Sequence, residues 1–341
     1  MHFSKEKIGK PQQTTMDNAS LIFRALLAIA LGSFGVIGIF YGLNILVEKT
    51  LPQKLRLRVL PWIYIGPAML LLGVYLVMPT LRTLYLSLFD NDSDRFVGLQ
   101  NYLVVLTAPD TLVTFRNNIL WLVLVTGFSV GLGLIIAVLI DRVKYENVAK
   151  SLVFLPMAIS FVGASVIWRF IYAYRPEGSP QIGLLNAIVT SLGFEPVGWL
   201  VNPAINNFAL IAIMIWLQTG FCMVLLSSAV KGVPDDVLEA ARVDGATEIQ
   251  IFWRIIIPMI MPTVTVVATT VIVAVLKVFD IVFVMTGGNL GTDVIASRMI
   301  REMFNFRNYG RGSAIAVILL IAVIPVMVAN VRRFRQQELD R

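Results

Sequence analysis

Apolar and polar positions follow one another along this chain in long blocks, not with the short period of a soluble amphipathic fold. Seven apolar blocks reach membrane-crossing length, since about 20 apolar residues in a helix traverse the hydrocarbon layer. They are 25–47, 60–78, 119–140, 152–172, 208–230, 259 to about 285, and 313–331. Pro61, Pro67 and Pro79 are tolerable in or beside the second block, where neighbouring helices satisfy freed carbonyls. Residues 81–117 carry Asp90, Asp92, Asp94 and Asp110 against Arg82, Arg95 and Arg116, and read as an exported polar loop. Residues 173–207, with a Pro/Gly-rich run at 175–180 and Trp199, are too polar and broken to span. The first block is read as a retained helix, because its polar leader is long and no small-residue cleavage site follows it. The expected fold is therefore all-α and polytopic, a six-helix core with one additional N-terminal helix.

One polar island interrupts this pattern, Glu239-Ala240-Ala241-Arg242-Val243-Asp244-Gly245, with Ile255-Ile256-Ile257-Pro258 nine residues beyond it. Pro234 suits the start of a helix, and Asp235 and Asp236 place negative charge at its N-terminal amides. Val237, Leu238 and Ala241 share one face, Glu239 and Arg242 point elsewhere, and Ala240 and Ala241 keep the surface low. Gly245 is suited to the positive φ of a helix end. Thr247 and Gln250 have the spacing of a capping box, and Ile249, Phe252, Trp253 and Ile256 recur at helical intervals until Pro258, where the helix is expected to break.

Composition narrows the class. The 341 residues are 57% hydrophobic and 14% charged, with a mean hydropathy of +0.79, which excludes a soluble globular domain. The net charge of +7 does not point to nucleic acid, because the cations gather beside apolar blocks, as cytoplasmic loops require. Lys49, Lys54, Arg56 and Arg58 form one group, Arg142, Lys144 and Lys150 a second, and Arg332, Arg333, Arg335 and Arg341 a third. If the polar island is cytoplasmic too, seven spans put the amino terminus outside, against the mild contrary signal of Lys5, Lys7 and Lys10. The only cysteine, Cys222, and the only histidine, His2, leave neither a disulfide nor a His-based metal site, and no intramembrane catalytic constellation is visible. No Gly-x-x-x-x-Gly-Lys-Ser/Thr occurs, so any ATP hydrolysis belongs to another polypeptide.

The island with its following Ile-Ile-Ile-Pro resembles the cytoplasmic signature of ABC-importer permeases, departing only at Ile257, where Leu is usual. Phe279-Asp280, Thr286-Gly287-Gly288, Tyr309-Gly310, Leu155-Pro156 and Ile167-Trp168-Arg169-Phe170 resemble one permease of maltose-type sugar importers. The run Met157 to Ser165 is similar to α-glucoside and glucosylglycerol permeases. The resemblance covers about 59–335, which it implies is the permease domain, with a coupling loop at 231–258; residues 1–58 add a helix and basic linker, and 336–341 a cytoplasmic tail. It further implies an inner-membrane heterodimer with a second permease, two copies of a cytoplasmic ATPase that carry ATP and Mg, and an outer solute-binding protein. No cofactor is expected on this chain.

On that reading Glu239 meets an ATPase cation, Ala240 and Ala241 pack closely, Gly245 provides the bend, and Arg242 and Asp244 complete the surface. Locally, Glu239 and Arg242 could instead pair with each other. A sugar path needs hydrogen-bonding groups beside aromatic faces, for which Trp216, Gln218, Thr219 and Thr270 are candidates, although each could equally join helices together. Lys277 and Asp280, three apart within the sixth block, are expensive in lipid and are expected to face the bundle interior, a cavity or each other. Arg169 is read as snorkelling to the interface. An importer of another small polar solute and a secondary transporter fit the composition as well, but the latter leaves the signature loop unexplained.

Overall fold

The computed structural model describes residues 18–141 and 143–339. His2, Lys5, Lys7, Lys10, Arg142 and Arg341 lie outside the described residues, as do the side chains of Arg333 and Arg335. The chain divides into two compact units, 1–81 and 82–341.

In the first unit, α1 (Asn18–Thr50) extends the first apolar block at both ends. Pro52, in extended conformation, turns the chain into α2 (Gln53–Leu72). Phe40 stacks on Tyr64 at 5.9 Å, and Arg56 pairs with Glu48. A π turn, Gly73–Val77, then leads into α3 (Met78–Leu86).

The second unit holds α4 (Gln100–Thr107), α5 (Pro109–Ile140), α6 (Glu146–Phe154), α7 (Phe161–Ile171), α8 (Leu184–Ser191), α9 (Asn206–Lys231) and α10 (Asp235–Val243). It continues through α11 (Glu248–Ile251), α12 (Ile257–Leu276), α13 (Asp280–Met285), α14 (Ile295–Ile300) and α15 (Tyr309–Leu339). Among the described residues the only β pairing is one bridge, Phe89 with Phe96. Helix α9 is the axis of the core, with Leu210, Ile213, Met214, Met223 and Leu226 fully buried against Trp121 and Val125 of α5 and Val267 and Val271 of α12. The α5–α9 approach depends on Gly133, where an added Cβ would lie 2.6 Å from that of Cys222.

Among the described residues, five continuous helices are long and apolar enough to cross a membrane, Gln53–Leu86, Pro109–Ile140, Asn206–Lys231, Glu248–Leu276 and Tyr309–Arg332. A sixth crossing arises only if Glu146–Ala158 and Phe161–Ile171, bent by 101°, count as one. The expected straight span at 152–172 is therefore replaced by a sharply bent helix pair. Its break has local causes: Pro156 sits in a 3-10 turn, Leu155–Ala158, Ile159 is extended, and Ser160 caps α7 by accepting the Gly163 N–H at 3.1 Å.

Three other boundaries differ from expectation. Helix α5 begins ten residues before the apolar block, because Pro109 and Asp110 supply a preorganised, dipole-matched first turn in the segment expected to be loop. Pro258 does not end its helix. The π turn Phe252–Ile256 precedes it, with the Ile257 N–H bonded to the Phe252 carbonyl, so the chain accommodates the ring by a wider turn. Pro79 stands at the same spacing after Gly73–Val77, and there too the helix continues.

The sixth block, finally, stops at Leu276 and restarts at Asp280. Lys277 and Asp280 therefore do not share a helical turn. Lys277 closes the negative end of α12 while Asp280 opens the positive end of α13, the placement each charge prefers.

Buried asparagines hold the loop between α13 and α14. Asn117 donates to the carbonyls of Gly291 and Asp293 at 2.7 and 2.8 Å, Asn207 donates to Gly291 at 3.1 Å, and Asn118 accepts the Ile295 N–H at 2.7 Å. Burial raises the Asp293 carboxyl above the ordinary carboxylate range, partly countered by Arg301 at 3.1 Å.

Candidate functional site

Two places gather the residues singled out from the sequence. The first is α10, which Pro234 caps in extended conformation and Asp235 and Asp236 begin. Its end is a Schellman closure: Gly245 at φ +81 directs its N–H to the Arg242 carbonyl, and the Ala246 N–H reaches Ala241 at 3.0 Å. Thr247 then opens α11 with both bonds of the expected capping box, at 2.9 and 3.4 Å.

Leu238 and Ala241 pack inward on Val233, Ile251, Ile256 and Ile260. Ala241 thus serves internal packing rather than an outer surface, and Val237 stands 40% exposed instead of joining the inner face. Outward-facing are Glu239, Ala240, Asp244 and Val243, the last 87% exposed. Arg242 pairs with Glu248 rather than Glu239, its Nε donating to Oε1 at 2.8 Å, and this bond raises the guanidinium further above its ordinary value. Glu239 is left on the exposed face. Beyond the bend, Ile249 and Trp253 remain 73% and 64% exposed, while Ile256 is buried.

The second place is a cavity of about 390 Å³ at the α6–α7 break, lined by Met157, Ile159, Ser160, Phe161, Val162, Leu217, Gln218 and Asp280. Of the six residues proposed for a solute path, Gln218 and Asp280 meet here. Trp216 lies edge-on to Trp168 at 5.7 Å, and the hydroxyls of Thr219 and Thr270 donate to carbonyls of their own helices at 2.7 and 2.9 Å. Lys277 is exposed at the end of α12. None of these four lines the cavity.

The wall from Met157 to Val162 was not identified as a site from the sequence. A signal was present, since Pro156 and Ser160 interrupt an apolar block, and non-helical backbone at membrane depth is tolerated where protein covers it or it borders a cavity. The lining offers a carboxylate, an amide, a hydroxyl and the Phe161 ring, without a cation. Such a set accepts and donates hydrogen bonds to a neutral polyhydroxyl solute and repels an anionic one.

Residues 129–336 match the family of binding-protein-dependent transport system inner membrane components. The chain is 70% identical over 275 residues to the osmoprotective compounds uptake permease protein GgtC of Synechocystis sp., a match covering 81% of this chain and 99% of that protein. It is 45% identical over 324 residues to the alpha-glucoside transport system permease protein AglF of Rhizobium meliloti, covering 91% and 96%. Among solved structures, a bacterial ABC transporter involved in the import of the acidic polysaccharide alginate shares the fold, with a TM-score of 0.71 at 22% identity over 83% of this chain and 98% of that one.

Proposed function

The chain belongs to the family of inner membrane components of binding-protein-dependent transport systems, and from that premise we propose that it is the permease subunit of an ATP-driven importer of neutral α-glucosyl solutes, glucosylglycerol among them. One observation carries the proposal: the 70% identity, along nearly the full length of the relative, with a permease named for osmoprotective compounds. The α-glucoside permease at 45% identity points to the sugar half of the solute. The cavity chemistry agrees, because a lining of carboxylate, amide, hydroxyl and aromatic ring suits a sugar and disfavours an acidic one.

In this reading the chain pairs with a second, homologous permease, and two ATPase subunits dock below, binding ATP and Mg between them. A solute-binding protein delivers from outside, and this chain itself binds no cofactor. The outward stripe of α10 enters the ATPase, with Glu239 receiving a charge-assisted hydrogen bond from an ATPase cation and Ala240 allowing close approach. Closure of the ATPase pair displaces α10, and the attached spans open the cavity outward. Gln218 and Asp280 then take solute hydroxyls.

The test is uptake of labelled glucosylglycerol, trehalose, sucrose and maltose in cells with and without the chain, alongside Glu239→Ala. High-affinity uptake of at least one solute should disappear in the deletion and fall at least about tenfold in the variant, with the protein still in the membrane, as expected for the loss of one charged hydrogen bond. Unchanged uptake of all four in the deletion would remove the substrate class. Wild-type uptake in Glu239→Ala would remove its docking role.

A further inference from the structure

We propose that Lys231 and Gly220 fasten α6 to α9 at two separated points, making one rigid arm that carries displacement of α10 to the wall of the solute cavity; this rests on the transport reading above. At the lower point, Lys231, the last residue of α9, places Nζ 2.6 Å from Glu146 Oε1 and 3.2 Å from Asp141 Oδ1. Glu146 is the first residue of α6 and Asp141 caps the end of α5. Lys150, one turn along α6, pairs with Glu146 and orients it.

At the upper point, Gly220 admits the α6 backbone itself. A Cβ there would lie 2.5 Å from the Val153 carbonyl oxygen and 2.9 Å from Phe154 Cα. The two fastenings are eleven residues apart on α9 and eight on α6, about 16 and 12 Å of helix. The start of α6 meets the end of α9 and the end of α6 meets Gly220, so the helices run antiparallel. Two helices pinned at both ends of a common length cannot hinge about either pin.

What lies beyond each pin gives the arm its use. Below Lys231 only Gly232 and Val233 precede Pro234 and α10. Above Gly220 and Phe154 come Gln218 and Leu217 on α9 and Met157, Ile159 and Ser160 on the turn after α6, five residues of the cavity lining. A push on α10 therefore moves both strands of that wall together. These partly exposed ion pairs add little stability. Their role is geometric, so Lys231 is a positioning residue.

In Lys231→Met, ATP-dependent uptake should fall at least tenfold, while Lys231→Arg retains most of it. In Glu146→Cys/Lys231→Cys, a short bis-methanethiosulfonate linker should restore uptake, and reductant should remove it again. Wild-type uptake in Lys231→Met, or a linker that blocks transport, overturns the proposal, since a fastening that must open each cycle cannot be covalent. A second measurement does not depend on the solute: spin labels on the exposed Asn147 and Ser228 in the assembled complex, with the native Cys222 buried. Their separation should be narrow and equal with and without ATP and vanadate, and Lys231→Met or Gly220→Val should broaden it. A separation that changes on vanadate trapping in the unsubstituted complex overturns the rigid arm. If that complex moves none of the four sugars, the substrate reading alone fails, and the label distance still decides the arm.

Discussion

Neighbouring alanines in α10 have opposite fates: Ala240 is exposed, while Ala241 lies against Val233, Ile251 and Ile256. The sequence identifies both as small, but which faces inward depends on where α11 folds back. Gly245 and the Thr247–Gln250 box were legible in full, because a positive φ and a capping box are set by residues within one turn. Of the solute-path candidates, Gln218 and Asp280 reach the cavity and Thr270 does not. Replacing Gln218 by Ala or Asp280 by Asn should therefore raise the KM for uptake about tenfold, the equivalent of one hydrogen bond to the solute. Thr270→Ala should leave it unchanged. Initial-rate uptake over a concentration series checks all three, and an unaltered KM in Gln218→Ala and Asp280→Asn would separate the cavity from the solute.

Elements were most legible where hydrophobicity alone defines them and least where a helix breaks or widens. The α9 block was located within a few residues, because an uninterrupted apolar run has one economical conformation in lipid. The α6–α7 bend, the stop at Leu276 and the continuation through Pro258 were not, since each depends on which carbonyls find partners elsewhere. The loop between α13 and α14 is a case in which distant side chains supply those partners. Asn117 reaches it from 174 and 176 residues away in sequence. Asn117→Ala leaves the buried bond to the Asp293 carbonyl unmade, while Gly291 keeps Asn207 as donor, and should destabilise this end of the fold by about 1–3 kcal/mol, read as a lowered Tm of the detergent-solubilised protein. An unchanged Tm would mean that water replaces the amide without cost.

At the scale of the whole molecule, the crossing count sets which ends share a side. Were the chain to cross seven times, residues 10 and 95 would both lie outside, and alkaline phosphatase fused at either position would be active. Activity at 95 without activity at 10 would leave six. The sequence by itself determined the all-helical membrane class, the gathering of cations between apolar blocks, and the short α10 helix with its bend at Gly245. These properties depend on composition and on residues within a few turns of one another. Only the tertiary structure decided which side chains meet: that Gln218 shares a cavity with Met157 and Asp280, that Arg242 chooses Glu248 over Glu239, and that Lys231 joins Asp141 and Glu146. In an apolar sequence almost every position is compatible with burial, so hydrophobicity does not choose among helix partners. That choice falls to close approaches at Gly133 and Gly220 and to a few polar groups that must find one another across the bundle.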